Sequence, residues 1–208
     1  MNTERKKAVD IILISGKQGS GKTTTSRAIE KAARRLGYDY VVTLKFAAPL
    51  YVLHEFILNK MEFLTGKPRE EKDGLLLQVL GTDWGRRKLG DNVWCDIVKR
   101  EIEKQSESKS GKKLFIIDDA RFENEFDAFS EIALTIRLDA PEEVRKSRTE
   151  SWRENTNHPS EVGLDSYAAD GCFDAYEDTG PSGRTADQIA ESAINYFSRR
   201  GVENEQGI

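Results

Sequence analysis

Cysteine and histidine are scarce in this chain of 208 residues. Its two cysteines, Cys95 and Cys172, lie far apart and in no C-x-x-C pair, which excludes a disulfide scaffold and a cysteine-based zinc site. Of the two histidines, His54 sits in an apolar helical stretch and His158 precedes a proline. Neither suggests a Ser-His-Asp or Cys-His catalytic set. Long apolar runs are missing too. The stretch nearest the N-terminus has only four strongly apolar residues, Ile11 to Ile14, too few for a membrane-spanning helix or a signal peptide. A cytoplasmic location is therefore expected. An excess of positive charge is also absent. The net charge of −4 argues against non-specific binding of duplex nucleic acid, although a local basic cleft could still hold a small anion.

What is present is enough for one folded domain over residues 1–208. Apolar residues make up 38% and charged residues 33%, and the apolar ones cluster in short runs able to build a core. No internal repeat or low-complexity tract interrupts them. The aliphatics of Val9 to Ser15 predict a strand buried on both faces. A helix follows from about Lys22 to Leu36, stopped by Gly37. Further strands are expected at Tyr40 to Leu44, Leu114 to Ile117, Ile132 to Leu138 and Phe173 to Glu177. Helices are expected from Pro49 through Leu58, over Leu75 to Leu80, over Asp91 to Ile102, over Pro141 to Glu154, and from Thr185 to Arg200. Thr185 and Gln188 have capping-box spacing. Loops are expected at Thr65 to Gly74 and Glu103 to Lys113, and fraying after Val202. Strands alternating with helices imply a three-layer α/β/α sandwich on a mainly parallel sheet, with ligands at the carboxyl ends of the strands.

The most informative segment lies at the end of the first strand. Gly16-Lys17-Gln18-Gly19-Ser20-Gly21-Lys22-Thr23 satisfies G-x-x-x-x-G-K-[ST] at every defined position. Its glycines let main-chain N–H groups turn inward on a phosphate, and the helix start adds its positive end. Lys22 can span the β- and γ-phosphates, the Thr23 hydroxyl can ligate Mg²⁺, and Thr24 follows in the first helical turn. ATP and Mg²⁺ are the implied cofactors.

A kinase needs more than this loop: an acceptor site, positive charge at the transferred group and a cover that excludes water. Glu142 to His158 supplies a candidate lid, in which Arg145, Arg148 and Trp152 would share one helical face near Arg153. Four acids balance the four bases there, so a plain solvated helix fits equally well. The third strand ends in Asp118-Asp119-Ala120-Arg121. An aspartate there is the usual second Mg²⁺-organising carboxylate, and the sequence does not choose between the two. Arg121 would overhang the same crevice or pair with Glu123 or Glu125.

Taken together, these segments resemble the phage-type deoxynucleoside monophosphate kinases, which share a superfamily with the animal phosphomevalonate kinases. The carriers are GKQGSGKT, Lys45-Phe46-Ala47-Ala48-Pro49-Leu50, LGTDWGRR from Leu80 to Arg87, Asp119-Ala120-Arg121, and SEVGLD from Ser160 to Asp165. The resemblance implies a nucleoside-monophosphate-kinase-like P-loop NTPase fold with a five-stranded parallel sheet. It implies a helical acceptor-binding insertion at about 49–104 and a lid at about 141–160. It also implies ATP-dependent phosphorylation of a (deoxy)nucleoside 5′-monophosphate. Lys45 and Pro49 would line the acceptor side, and Gly81, Thr82, Asp83 and Arg87 the monophosphate and base pocket. Arg121 would face the acceptor phosphate, Arg145 and Arg148 would belong to the lid, and Asp119 would join them in catalysis.

Residue chemistry adds Arg86 and Lys88 as phosphate partners, Gln78, Asp83 or Asn92 as readers of a base edge, and Trp84 or Trp94 as stacking surfaces or core residues. No general base is needed, because a monophosphate oxygen already carries negative charge near neutral pH. A kinase for another phosphorylated acceptor and a nucleotide-dependent ATPase or switch are the competing readings. The small-molecule acceptor is the expected partner, without membrane or duplex nucleic acid, and a homodimer is left open.

Overall fold

The computed structural model describes residues 9–150, 152 and 159–206. Its core is a five-stranded sheet of β1 (Val9–Gly16), β2 (Tyr40–Leu44), β3 (Lys113–Ala120), β4 (Leu134–Asp139) and β5 (Ala175–Asp178). The spatial order is β2-β3-β1-β4-β5, and every pairing is parallel. The expected three-layer P-loop fold is therefore present.

Alternation along β1 explains the layers. Ile12 and Ile14 face one side and pack with Ile29 of α1 (Lys22–Arg35) and with Ile189, Ala190 and Ala193 of α9 (Ala186–Gln206). Ile11 and Leu13 face the other side and pack with Trp94, Val98 and Ile102 of α4 (Val93–Ser108). Because helices cover both faces, β1 and β3 read as continuous aliphatic runs. β1 lies at the centre, so the loop after it opens where the chain's crossovers diverge, the usual ligand position in such sheets.

Several elements differ from expectation. α2 (Ala48–Thr65) runs seven residues beyond Leu58 until Gly66 adopts a left-handed conformation (φ 67°), its N–H bonded to Glu62 O. α4 continues through the expected loop as far as Ser108. Asp118 and Asp119 lie inside β3 rather than after it. α9 extends past Val202 to Gln206, and its capping box forms as expected. Gln188 Oε1 accepts the Thr185 N–H at 2.9 Å, and Thr185 Oγ1 accepts the Gln188 N–H at 3.3 Å.

The most consequential difference is in the stretch GTDWGRRKLG. It forms no connecting loop: a short α3 (Gly74–Gln78) leads directly into a π-helix over Val79–Leu89. Close packing explains why glycines stand in it. A Cβ on Gly81 would meet Leu50 Cδ2 at 3.1 Å, and one on Gly85 would meet Trp94 Cζ2 at 2.6 Å. Short helices α5 (Glu123–Asp127), α6 (Glu142–Ser147), α7 (Pro159–Val162) and α8 (Asp165–Ala169) complete the chain.

Candidate active site

The phosphate loop hangs between β1 and α1. Gly19 has φ +77°, and a Cβ there would fall 2.5 Å from Arg145 O, so only glycine fits. Gly21, with φ +91°, starts α1. Lys22 Nζ donates to Gly16 O at 2.5 Å and Lys17 O at 3.0 Å. Burial, and then the nearby Arg121 charge, pull its pKa down to about 8. Ser20 is fully buried and its Oγ has no hydrogen-bond partner. Thr23 and Thr24 are exposed at the helix start.

Neighbouring strand ends bring carboxylates to this loop. Asp118, 2% exposed, accepts from Lys45 Nζ at 2.6 Å and from Ser26 Oγ at 3.0 Å. Asp119 instead accepts the main-chain N–H groups of Phe46 and Ala47 at 2.9 and 3.1 Å. Burial raises its pKa. Both oxygens of Asp119, expected to be catalytic, thus anchor the turn that carries Lys45. Asp118 faces the phosphate-loop helix.

SEVGLD closes over the same crevice, in a way the sequence did not reveal. Glu161 accepts the Gln18 N–H at 2.7 Å and Arg121 Nη1 at 2.8 Å. Asp165 pairs with Lys17 at 2.8 Å and Arg137 at 2.7 Å. Arg137 also donates to Ser15 Oγ at 3.1 Å. Arg121 therefore pairs with Glu161, not with Glu123 or Glu125, although its main-chain N–H does donate to Glu125. A charged residue within the apolar run IALTIRL was the one available sign of Arg137, since buried charge is the informative exception.

On the acceptor side, the two arginines of the π-helix part company. Arg87 pairs with Asp83 at 2.7 Å on the outside, with 72% of its side chain exposed. Arg86 turns inward to Glu125 at 3.1 Å and lies over the Phe122 ring at 4.3 Å. Glu125 also accepts the N–H groups of Arg121 and Phe122, and burial pushes its pKa up to about 7. Pro49 begins α2, whose Leu50 packs on Gly81. Gln78, Thr82 and Trp84 are exposed, whereas Trp94 is 5% exposed and its indole N–H donates to Gly81 O. Of the two roles left open for Trp94, stacking surface or core residue, its burial fits the core residue. Cys95 is likewise buried, which pushes its thiol up to about 12, while Cys172 is exposed.

The lid arginines also need correction. α6 ends at Ser147, so Arg145, Arg148 and Trp152 do not share a helix face. Arg145 is buried and donates to Ala140 O and Gln18 O, bracing the phosphate loop, with its guanidinium 5.4 Å from the Trp152 ring. Arg148 donates to Thr179 O at 2.6 Å, and Thr179 Oγ1 in turn donates to Ser20 O at 2.9 Å. The expected lid residues 151 and 153–158, Arg153 and His158 included, lie outside the described residues.

The site thus places a helix-starting glycine loop, the ammonium groups of Lys17, Lys22 and Lys45, the guanidinium groups of Arg121, Arg137 and Arg145 and the buried Asp118 close together. A family model described as an AAA domain matches residues 12–163, from β1 through the phosphate loop to the SEVG stretch. The chain belongs to this AAA domain family. No curated protein matches the sequence. Among solved structures, TT1252 from Thermus thermophilus is 19% identical with a TM-score of 0.51, covering 97% of this chain and 100% of that one. An APS kinase from Mycobacterium tuberculosis, in complex with AMPPNP and APS, is 12% identical with a TM-score of 0.49, covering 92% and 99%. A shikimate kinase from Acinetobacter baumannii, in complex with shikimate, is 16% identical with a TM-score of 0.43, covering 93% and 96%. At these identities the likeness is one of fold. The AAA domain of this chain carries its P-loop at the end of the central strand of a five-stranded parallel sheet. No helix among its described residues is long and apolar enough to cross a membrane.

Proposed function

We propose that this chain transfers the γ-phosphoryl group of ATP to a (deoxy)nucleoside 5′-monophosphate, in the manner of the phage-type kinases it resembles. The observation that carries the reading is Arg121, whose Nη1 donates at 2.8 Å to Glu161, itself the acceptor of the Gln18 N–H of the phosphate loop. A hydrolase needs cations for one set of phosphates. A second cation across the mouth of the loop suits an acceptor that brings a phosphate of its own.

Lys22 and the loop amides hold the ATP phosphates, and Arg121 orients the acceptor phosphate for in-line attack by one of its oxygens. With that oxygen already ionised, the chain has no proton to remove. Asp118 and Thr23 would hold Mg²⁺. Their hard oxygen donors fit it, and Asp118 already carries an ammonium partner. The ion supplies charge neutralisation at the transferred group. Residues 49–104 form the proposed acceptor insertion; Lys45 just before it and, within it, Arg86 and the exposed Trp84 would meet phosphate and base.

ADP release should be measured with dAMP, dGMP, dTMP, dCMP, modified pyrimidine monophosphates and phosphomevalonate in turn. Release that requires one of the nucleoside monophosphates is the expected result. Release that requires phosphomevalonate, or that proceeds equally with no acceptor, would defeat this assignment.

A further inference from the structure

A carboxylate stands between the phosphate loop and Arg121. Glu161 on α7 is 14% exposed at its side chain. Its Oε2 lies 2.7 Å from the Gln18 amide nitrogen, and its Oε1 lies 2.8 Å from Arg121 Nη1. Arg121 Nη1 also reaches Ser160 O and Oγ, both at 3.3 Å. The Gln18 peptide is held from its other side as well, its carbonyl accepting Arg145 Nη1 at 3.1 Å. Lys22 is near enough for the Glu161 charge to act on it.

An ion pair with Arg121 alone would be an ordinary surface contact. Two features take Glu161 further. It accepts a main-chain N–H of the phosphate loop itself, a donor class that recognises phosphoryl oxygens. It also bridges that amide to Arg121, the cation proposed to orient the acceptor phosphate. The two contacts join points 143 and 40 residues away in sequence, so they are tertiary rather than by-products of local geometry.

We propose that Glu161 is a positioning residue that competes with phosphoryl groups for the Gln18 N–H and Arg121. It aims Arg121 at the loop mouth and yields both donors as substrate phosphates arrive. Carboxylate and phosphate oxygens accept the same charge-assisted hydrogen bonds. Two anions cannot share these donors in a poorly solvated crevice without strong repulsion. Glu161 therefore weakens anion binding while fixing where Arg121 stands. This rests on the phosphotransfer reading for its purpose, but not for its test.

The test is calorimetric titration of wild type, Glu161→Gln and Glu161→Ala with AMPPNP and, separately, with pyrophosphate, after thermal melts show all three folded. Both variants should bind both probes about tenfold more tightly than wild type. Loss of a merely structural contact would instead loosen the loop and weaken binding. Equal or weaker binding in both folded variants would overturn the proposal. If the variants bind pyrophosphate tightly but no form binds AMPPNP, the competition stands and the nucleotide reading falls. If AMPPNP binds wild type as well as it binds the variants, the reverse holds.

Discussion

The phosphate loop and the acceptor-side helices are held very differently. Gln18, Ser20 and Lys17 are tied to Arg145, Glu161, Thr179 and Asp165, residues from four later segments. By contrast α2, eighteen residues long, buries only His54. Its Val52, Phe56, Phe63 and Leu64 are 63–78% exposed. The contrast teaches where preorganisation is invested. The phosphate loop is fixed before any ligand arrives, whereas the proposed acceptor side has few packing contacts to hold it and can reshape.

Substitutions can break or sharpen that contrast. Lys22→Ala should have the largest effect, lowering turnover on the order of 10³-fold with little change in melting temperature. Retained turnover would mean that the rigid loop is not the catalytic half. Glu125 comes next, since it joins the π-helix to the end of β3. Its pKa rises from an ordinary 4.5 to about 7 on folding, through burial. The folded chain therefore binds an extra proton between these values, and stability falls as pH rises through that window. The contribution is about 3 kcal/mol. Glu125→Gln should flatten this fall when denaturant melts are compared from pH 4.5 to 8; an unchanged slope would place its origin elsewhere. The smallest effect belongs to Phe63→Ser on α2. It should move stability by no more than about 0.5 kcal/mol, and a larger loss on chemical denaturation would show that α2 is packed after all.

Sequence patterns disclosed the rigid half better than the adaptable half. β1 and β2 fall where the continuous aliphatics placed them, and the phosphate loop follows from its glycine and lysine spacing, because these signals are local. α6 was read too long because acids and bases at helical spacing mimic a helix, while Arg145 and Arg148 answer to the loop and to Thr179. The helix expected to end at Leu80 instead leads into a π-helix over Val79–Leu89, whose glycines admit Leu50 and Trp94. The choice between Asp118 and Asp119 depended on the amides of Phe46 and Ala47, more than seventy residues away. Glu161 and Asp165 stood in view inside SEVGLD, but their partners at Gln18 and Lys17 are set only by the fold.

Following the phosphorus atoms tests the central claim most directly. Protein, Mg²⁺, ATP and an accepted nucleoside monophosphate should be observed together by ³¹P nuclear magnetic resonance. The account predicts that ATP converts to ADP while the acceptor signal converts to that of a diphosphate, in equal amounts. Accumulation of inorganic phosphate with the acceptor signal unchanged would contradict it.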